Sequence, residues 1–397
     1  EPTPLDQLRA WAASPADKRP ALESQPFAQS PLSKADAATA LDLLWTAKAA
    51  ELKAAREQEW KDKSITLGDK TMKFEFKVFP AGGTPKPKNG RALWISMHGG
   101  GGTTKEVNDQ QWKNQIGLYS PAEGVYLAPR APTDTWNLWH EGHIDDFFDR
   151  LITDAIVLEG VDPNRVYILG YSAGGDGVYQ LAPRLADRLA AASMMAGHPN
   201  DAAPDNLRNP PFAIHMGAND AAYNRNKVAE EWGKKLDALQ AADPDPTHAY
   251  PHVCELHAGK AHWMDREDAK AVPWMATFTR DPFPKRLVWL QAPRTHGRFA
   301  WLAVPAQEAK PGTRVVAQVS GQTVQLTTSG PLLTLELRLN DALLDLDQPV
   351  RIELDGKPLP EARVERHAAD LWRSLTERAD PASATPAHLS VLVKSPA

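Results

Sequence analysis

Ser172 lies in Gly170-Tyr171-Ser172-Ala173-Gly174, a G-x-S-x-G pattern that directly follows the apolar run Val166-Tyr167-Ile168-Leu169. A serine hydroxyl is a poor nucleophile at neutral pH, so it needs a base to take its proton and an acid to hold that base in the right tautomer. On a sharp strand-to-helix turn the hydroxyl stands clear of the sheet, provided the residues two positions away on each side are small. Gly170 and Gly174 meet that need. In such an arrangement the acid and the base come later in the chain, acid first. Asp220 ends Gly217-Ala218-Asn219-Asp220, just after the strand-like Phe212 to Met216. His262 lies in His257-Ala258-Gly259-Lys260-Ala261-His262-Trp263, just after the strand-like His252 to Leu256. Ser172, His262 and Asp220 therefore read as nucleophile, base and orienting acid of an acyl transfer. His257 sits at a strand end and reads as packed, while Asp265 follows the histidine and is out of order.

The tetrahedral intermediate of such a transfer needs N–H donors aimed at its oxyanion. Ala173 carries the amide after the nucleophile, and Trp94-Ile95-Ser96-Met97-His98-Gly99-Gly100-Gly101-Gly102 offers a second donor on a glycine turn, with Gly100 favoured ahead of Gly101. A phosphate cradle is disfavoured, because no Lys-Ser/Thr pair follows the glycines and the dinucleotide spacing is missing. Between this loop and the elbow, residues Pro132 to His143 include Trp136, Trp139 and His140, which can contact an aromatic or sugar ring of a substrate or can simply fill the loop. His140 and His143 have a metal-like spacing, but no cysteine or carboxylate cluster accompanies them, so neither a metal nor any other cofactor is expected.

The elements that must position these residues follow from hydrophobic period. Ala37 to Arg56 is helical in pattern, giving an N-terminal helical extension over residues 1–63. From Ser64 the pattern turns to strands, with an alternating hairpin at Met72 to Phe79. Apolar runs then recur at Ala92 to Met97, Gly124 to Leu127, Val166 to Leu169, Ala191 to Ala196, Phe212 to Met216 and His252 to Leu256. Helical stretches separate several of them, including Ile144 to Leu158 and Asn226 to Leu239. This rhythm predicts an α/β body over 64–283 with a mainly parallel sheet and flanking helices. Residues 284–397 read as a C-terminal β-rich module: strands at Leu287 to Leu290, Phe299 to Val304, Thr313 to Val319, Thr323 to Thr327, Leu332 to Leu339 and Val350 to Leu354, a turn at Asp355-Gly356, and a late helix at Ala368 to Arg378.

The 397 residues carry Lys+Arg 45 against Asp+Glu 50, a formal charge of −5, which gives no electrostatic reason to expect a nucleic acid or an anionic membrane surface as partner. No apolar run reaches the ~18 to 20 residues needed to span a bilayer. The single cysteine, Cys254, cannot form an internal disulfide and reads as a small thiol packed in a buried strand. The numbering starts at Glu1 with a Pro- and Ala-rich segment, so removal of a leader and a secreted or periplasmic location are expected.

The four motifs His98-Gly99-Gly100-Gly101, Gly170-Tyr171-Ser172-Ala173-Gly174, Asp220 and His262 together resemble an α/β-hydrolase of the serine esterase kind. Ile144-Asp145-Asp146-Phe147-Phe148 further resembles polyhydroxybutyrate-depolymerase-like and feruloyl-esterase-like members. The resemblance covers roughly 64–283 and implies a small-molecule or polymeric carboxylic ester as substrate. One departure is that depolymerase-like enzymes typically carry disulfides and a cysteine in the oxyanion loop, whereas this loop is all glycine. Two other readings stay open at this point. A prolyl-oligopeptidase-like peptidase shares the fold and residue order, and an inactive hydrolase body with a carbohydrate- or polymer-binding C-terminal module would use neither.

Overall fold

The computed structural model describes residues 2–394. In chain order its helices are α1 (Pro4–Ala13), α2 (Lys34–Lys61), α3 (Lys105–Ile116), α4 (His143–Asp154), α5 (Ala173–Arg184), α6 (Arg225–Ala242), α7 (Ala271–Met275) and α8 (Ala368–Glu377). The strands of the α/β body are β1 (Ser64–Leu67), β2 (Lys70–Phe79), β3 (Arg91–Met97), β4 (Gly124–Arg130), β5 (Val161–Tyr171), β6 (Ala191–Met195), β7 (Phe212–Gly217) and β8 (His252–His257). The chain divides into two compact units, residues 56–281 and residues 1–55 together with 282–397.

In the first unit the eight strands form one sheet in the order β1-β2-β4-β3-β5-β6-β7-β8. The first two pairings, β1 with β2 and β2 with β4, are antiparallel. All the others are parallel, as the β/α rhythm predicts. Strands β3 and β4 are buried along nearly their whole length. That is why their sequences are continuous apolar runs and not alternating ones. Helix α4 turns Ile144, Phe147, Phe148, Leu151 and Ile152 inward. Its regular part stops at Asp154, short of the helix expected to reach Leu158, because one wide turn over Ala155–Glu159 follows and Gly160, at φ 66°, closes the segment.

The edge strand β8 departs from expectation. Only its last residue is buried, and Cys254 is exposed, its Sγ 3.8 Å from the Ala229 carbonyl of α6. A short apolar run does not reveal whether a strand lies at the centre or the edge of a sheet, and here β8 is the edge strand, with the Cys254 thiol packed against α6.

Buried acids in this unit are paired. Asp145 of α4 lies 2.9 Å from the Arg184 guanidinium, both enclosed. Asp154 is also enclosed, beside Glu59 and 3.5 Å from Arg56, and burial followed by the Glu59 carboxylate raises its pKa from the usual 3.8 to about 9. A carboxyl whose folded pKa is raised stabilises the fold fully below its unfolded pKa, and that contribution is lost as pH climbs toward the folded value. Asp154→Asn keeps a donor toward Glu59 without the charge. It is therefore expected to melt higher than the parent at pH 9, with the gap closing toward pH 4. Thermal melts across that range check it, and a gap independent of pH would refute the assignment.

The second unit holds α1, the N-terminal part of α2, and two sheets. One has the order β10 (Arg298–Phe299), β11 (Leu302–Ala303), β14 (Thr334–Leu339), β17 (Ala387–Leu392). The other has the order β16 (Lys357–Pro358), β15 (Arg351–Leu354), β13 (Thr323–Ser329), β12 (Arg314–Ser320), β9 (Arg286–Leu290). Leu8, Trp11, Leu22 and Leu44 share one core with Trp372 and Leu375 of α8, and the Trp11 and Trp372 rings meet edge to face at 5.1 Å. The helical and β-rich segments that read as separate from sequence thus have a common interior.

Phe299 to Val304, expected as one strand, is a tight hairpin: Ala300 takes φ 51° and β10 folds back onto β11. Strand β17 is not among the expected strands, although Ala387, Leu389 and Val391 alternate with His388 and Ser390 in a short strand pattern.

Candidate active site

Strand β5 leads into the elbow, where Ser172 holds φ 59° and ψ −121°. A non-glycine residue there costs on the order of 1–3 kcal/mol and persists only if its surroundings fix it. The Ser172 N–H donates to Met195 O at 2.9 Å, and Ser172 O accepts from the Asp176 N–H at 3.0 Å. A methyl at Gly170 would overlap the Gly174 backbone, and one at Gly174 would overlap the Met97 carbonyl. Both small residues of the motif are therefore demanded by the turn itself.

Asp220 and His262 come from the loops after β7 and β8, and the parallel register of those strands brings the loops together. The Ala218 N–H donates to His257 O at 2.9 Å and the Asn219 N–H to Lys260 O at 2.8 Å. Gly217 is required at this junction because any side chain would strike the Ala261 carbonyl. The result joins three side chains. His262 Nε2 lies 2.9 Å from Ser172 Oγ, and His262 Nδ1 lies 2.7 Å from Asp220 Oδ2.

Asp220 is buried, with 3% of its surface exposed, whereas the His262 side chain is 43% exposed. An ionised carboxylate only accepts, so Nδ1 carries the proton and Nε2 presents a lone pair to the Ser172 hydroxyl. Two supports leave no mark in the sequence. Tyr171 Oη donates to His262 O at 2.8 Å and accepts from the Met264 N–H at 2.9 Å, which fixes the histidine loop to the elbow. The Arg225 guanidinium sits 3.5 Å from Asp220 Oδ1. The rivals are engaged elsewhere: Asp265 pairs with Lys260 at 2.8 Å, and His257 packs against His215.

The glycine loop runs through three successive positive φ values, 100° at Gly100, 83° at Gly101 and 58° at Gly102. The Gly101 N–H donates to Asn108 Oδ1 at 2.8 Å and the Gly102 N–H to Asp134 O at 3.0 Å. This corrects the expectation for Gly101, whose amide is already taken. The Gly100 amide has no acceptor among the described residues. Ala173 opens α5, where first-turn amides have no intrahelical acceptor.

His98 braces the loop from behind: Nδ1 donates to Gly99 O at 2.6 Å and Nε2 accepts from the Ala131 N–H at 3.1 Å. Burial lowers its pKa to about 4, so it stays neutral in both roles.

A cleft of about 500 Å³ opens over Ser172 and His262, lined also by Gly99, Gly100, Gln111, Asn114, Leu118, Tyr171 and Trp263. The aromatic residues expected to meet substrate behave differently. Trp139 is fully buried and its Nε1 donates to His98 O at 2.9 Å, so it is a strut of the glycine loop. Trp136 is 64% exposed and meets His140 edge to face at 5.3 Å, but neither lines the cleft. Trp263, half exposed and 5.5 Å from the Tyr171 ring, takes that place. Its signal in the sequence is its position immediately after the histidine.

No family model matches the chain. A stretch of 141 residues, 34% of this chain, is 30% identical to the bifunctional acetylxylan esterase/xylanase XynS20E of Neocallimastix patriciarum, covering 20% of that protein. A stretch of 164 residues, 36% of this chain, is 27% identical to a poly(3-hydroxybutyrate) depolymerase of Ralstonia pickettii, covering 32% of it. The chain spans less than half the length of the curated relatives it matches. Among solved structures, a thermostable esterase is 16% identical over 55% of this chain and 64% of its own, with a TM-score of 0.38. A ferulic acid esterase is 14% identical over 54% of this chain and 96% of its own, with a TM-score of 0.37.

The sheet, the elbow at the end of β5 and the loops after β7 and β8 give this unit an α/β-hydrolase fold. Within that fold its sequence is similar, over about a third of the chain, to these esterase and depolymerase relatives.

Proposed function

We propose that this protein is a serine esterase that cleaves carboxylic esters through an acyl-enzyme. The observation that carries the reading is the relay from Ser172 Oγ to His262 Nε2 at 2.9 Å and from His262 Nδ1 to Asp220 Oδ2 at 2.7 Å, at the floor of an open cleft. Ser172 Oγ attacks the ester carbonyl as its proton passes to His262 Nε2, and buried Asp220 stabilises the imidazolium that forms. The developing oxyanion is met by the amides of Ala173 and Gly100. His262 then protonates the departing alkoxide, and in the second half-reaction it takes a proton from water, which attacks the acyl carbon and releases the acid and Ser172.

Trp263, Tyr171 and Leu118 give the cleft an apolar wall suited to the acyl or aryl part of the ester. Trp136, exposed beside the glycine loop, offers an outer platform for a sugar or polymer unit. Acetylxylan and poly(3-hydroxybutyrate), which appear in the relatives' names, are the substrates to test first. A secreted or periplasmic location would suit such polymers.

A fluorophosphonate probe tests the reading. One adduct per chain is expected, on the tryptic peptide that contains Ser172, blocked by prior reaction with an aryl acetate. A chain that stays unlabelled while hydrolysing no ester of an aryl, acetyl-sugar, feruloyl and polyester panel would refute it. Faster turnover of aminoacyl amides than of the matching esters would instead assign a peptidase.

A further inference from the structure

Three side chains outside the relay converge near the C-terminal end of the same two strands. His215 of β7 stands in register with Glu255 of β8, and His257 lies two residues beyond Glu255 on the same strand. Successive side chains on a strand alternate faces, and in-register neighbours share one, so all three project from one face. His215 Nδ1 is 3.1 Å from His257 Nε2 and 3.5 Å from Glu255 Oε2, and His257 Nε2 is 3.9 Å from the same oxygen. Both imidazoles are buried, with 2% and 6% of their surface exposed, while Glu255 is half exposed. These are the only three ligand-type residues so grouped among the described residues.

We infer that His215, Glu255 and His257 form a binding site for one divalent transition-metal ion, with zinc as the expected occupant. Zinc bound to imidazole and carboxylate at ~2.0–2.1 Å in a tetrahedron places neighbouring ligand atoms about 3.3 Å apart. The triangle of donors has edges of 3.1, 3.5 and 3.9 Å, so it closes on an ion by small side-chain movements. Two imidazoles with one carboxylate is a ligand set that suits zinc better than magnesium or calcium, which favour all-oxygen shells. Three protein ligands leave a fourth position for water.

The surroundings of His257 agree with that use. A metal-binding imidazole must present a lone pair to the ion while its other nitrogen donates to an acceptor. His257 Nδ1 lies 3.2 Å from Glu267 Oε2, so the Glu267 carboxylate holds the Nδ1 proton and turns the Nε2 lone pair into the triangle. His215 Nε2 is enclosed and has no hydrogen-bond partner, so this ring lacks the outer acceptor that His257 has and is held by the packing around it. Lys270 Nζ stands 2.5 Å from Glu255 Oε2, so one cation already occupies this oxygen and must swing out when another arrives. Lys260, the remaining nearby cation, is tied to Glu267 at 3.1 Å and to Asp265 at 2.8 Å.

Such an ion would clasp β7 to β8 just before the loops that carry Asp220 and His262, and its role would be structural. The Ala218 N–H already bonds His257 O at the same level. Metal binding there couples to folding because the assembled site exists only when the two strands are paired.

Zinc titration of the full chain, stripped with a chelator and followed by competition with a chromophoric chelator, tests this directly. One equivalent of Zn²⁺ is expected, together with a rise in Tm and, with Co²⁺ in its place, the strong visible bands of a tetrahedral ion. Glu255→Gln removes a ligand from the exposed side of the site and is expected to abolish stoichiometric uptake with the fold retained. Glu267→Gln should weaken binding by about 10- to 100-fold. Lys270→Ala frees the carboxylate and should tighten it by about fivefold, the worth of an exposed ion pair. A chain that takes up no zinc, or one whose affinity is the same in the parent, Glu255→Gln and Lys270→Ala, overturns the assignment. Because uptake, Tm and spectrum are read without turnover, failure here is distinct from failure of the esterase reading.

Discussion

Ser172→Ala is expected to lower kcat for p-nitrophenyl acetate by about 10⁵- to 10⁶-fold, with little change in KM or Tm. Loss of the nucleophile removes the acyl-enzyme route entirely, and what survives is the modest catalysis that the oxyanion donors and binding give to direct attack by water. The fold should tolerate the change because Ser172 is held through its backbone, N–H to Met195 O and O to the Asp176 N–H, and alanine keeps both bonds. Alanine also meets the same unfavourable φ of 59°, so strain does not distinguish the two proteins. Steady-state kinetics with a thermal melt checks this. A loss smaller than about 100-fold in a well-folded variant would mean that another group performs the chemistry.

Asp220→Asn is the second large effect, about 10⁴-fold in kcat. Asp220 Oδ2 accepts the His262 Nδ1 proton at 2.7 Å in a buried setting, and a carboxylate can only accept. An asparagine turned with its amide toward the ring donates instead, which moves the imidazole proton to Nε2. The nitrogen facing Ser172 then has no lone pair for the hydroxyl proton, although every distance is preserved. Substrate contacts are untouched, so KM should hold while kcat falls.

Groups that act as one unit are strongly non-additive, and combining Asp220→Asn with Ser172→Ala should cost no more than Ser172→Ala alone. Asp265→Asn is the control. That carboxylate is engaged with Lys260 at 2.8 Å, and its loss should leave kcat within about twofold, as is usual for an exposed ion pair. Equal losses at Asp220 and Asp265 would sink the assignment of the orienting acid.

A strained turn presents a hydroxyl, two sequential loops supply proton acceptor and acid, and a glycine loop offers its amides. The stability of this assembly comes from the sheet beneath it, where apolar strands such as β3 and β4 are covered on both faces. Backbone bonds between the two loops and the Tyr171 hydroxyl then hold His262 to within a hydrogen-bond length of Ser172.

By itself the sequence determined the parallel sheet, the elbow at Ser172 and the order of Asp220 before His262. These depend on short-range patterns: apolar runs of strand length, glycines two residues from the serine, and loops that leave consecutive parallel strands at the same end. Only the tertiary structure decided which neighbours those residues meet.

The Gly101 amide was lost to Asn108, seven residues away in a helix whose side-chain direction no local pattern records. Trp139 and Trp136 look alike in the chain, yet one is sealed behind His98 and the other lies open, because the path of a loop is set by what packs beneath it. Trp263 reached the cleft, and Cys254 became exposed, through the place of β8 at the edge of the sheet. The shared core of Trp11 and Trp372 joins residues more than three hundred positions apart, and the triangle of His215, Glu255 and His257 exists only through the register of β7 against β8. Burial and convergence of this kind are properties of strand order and register, which hydrophobic period does not encode.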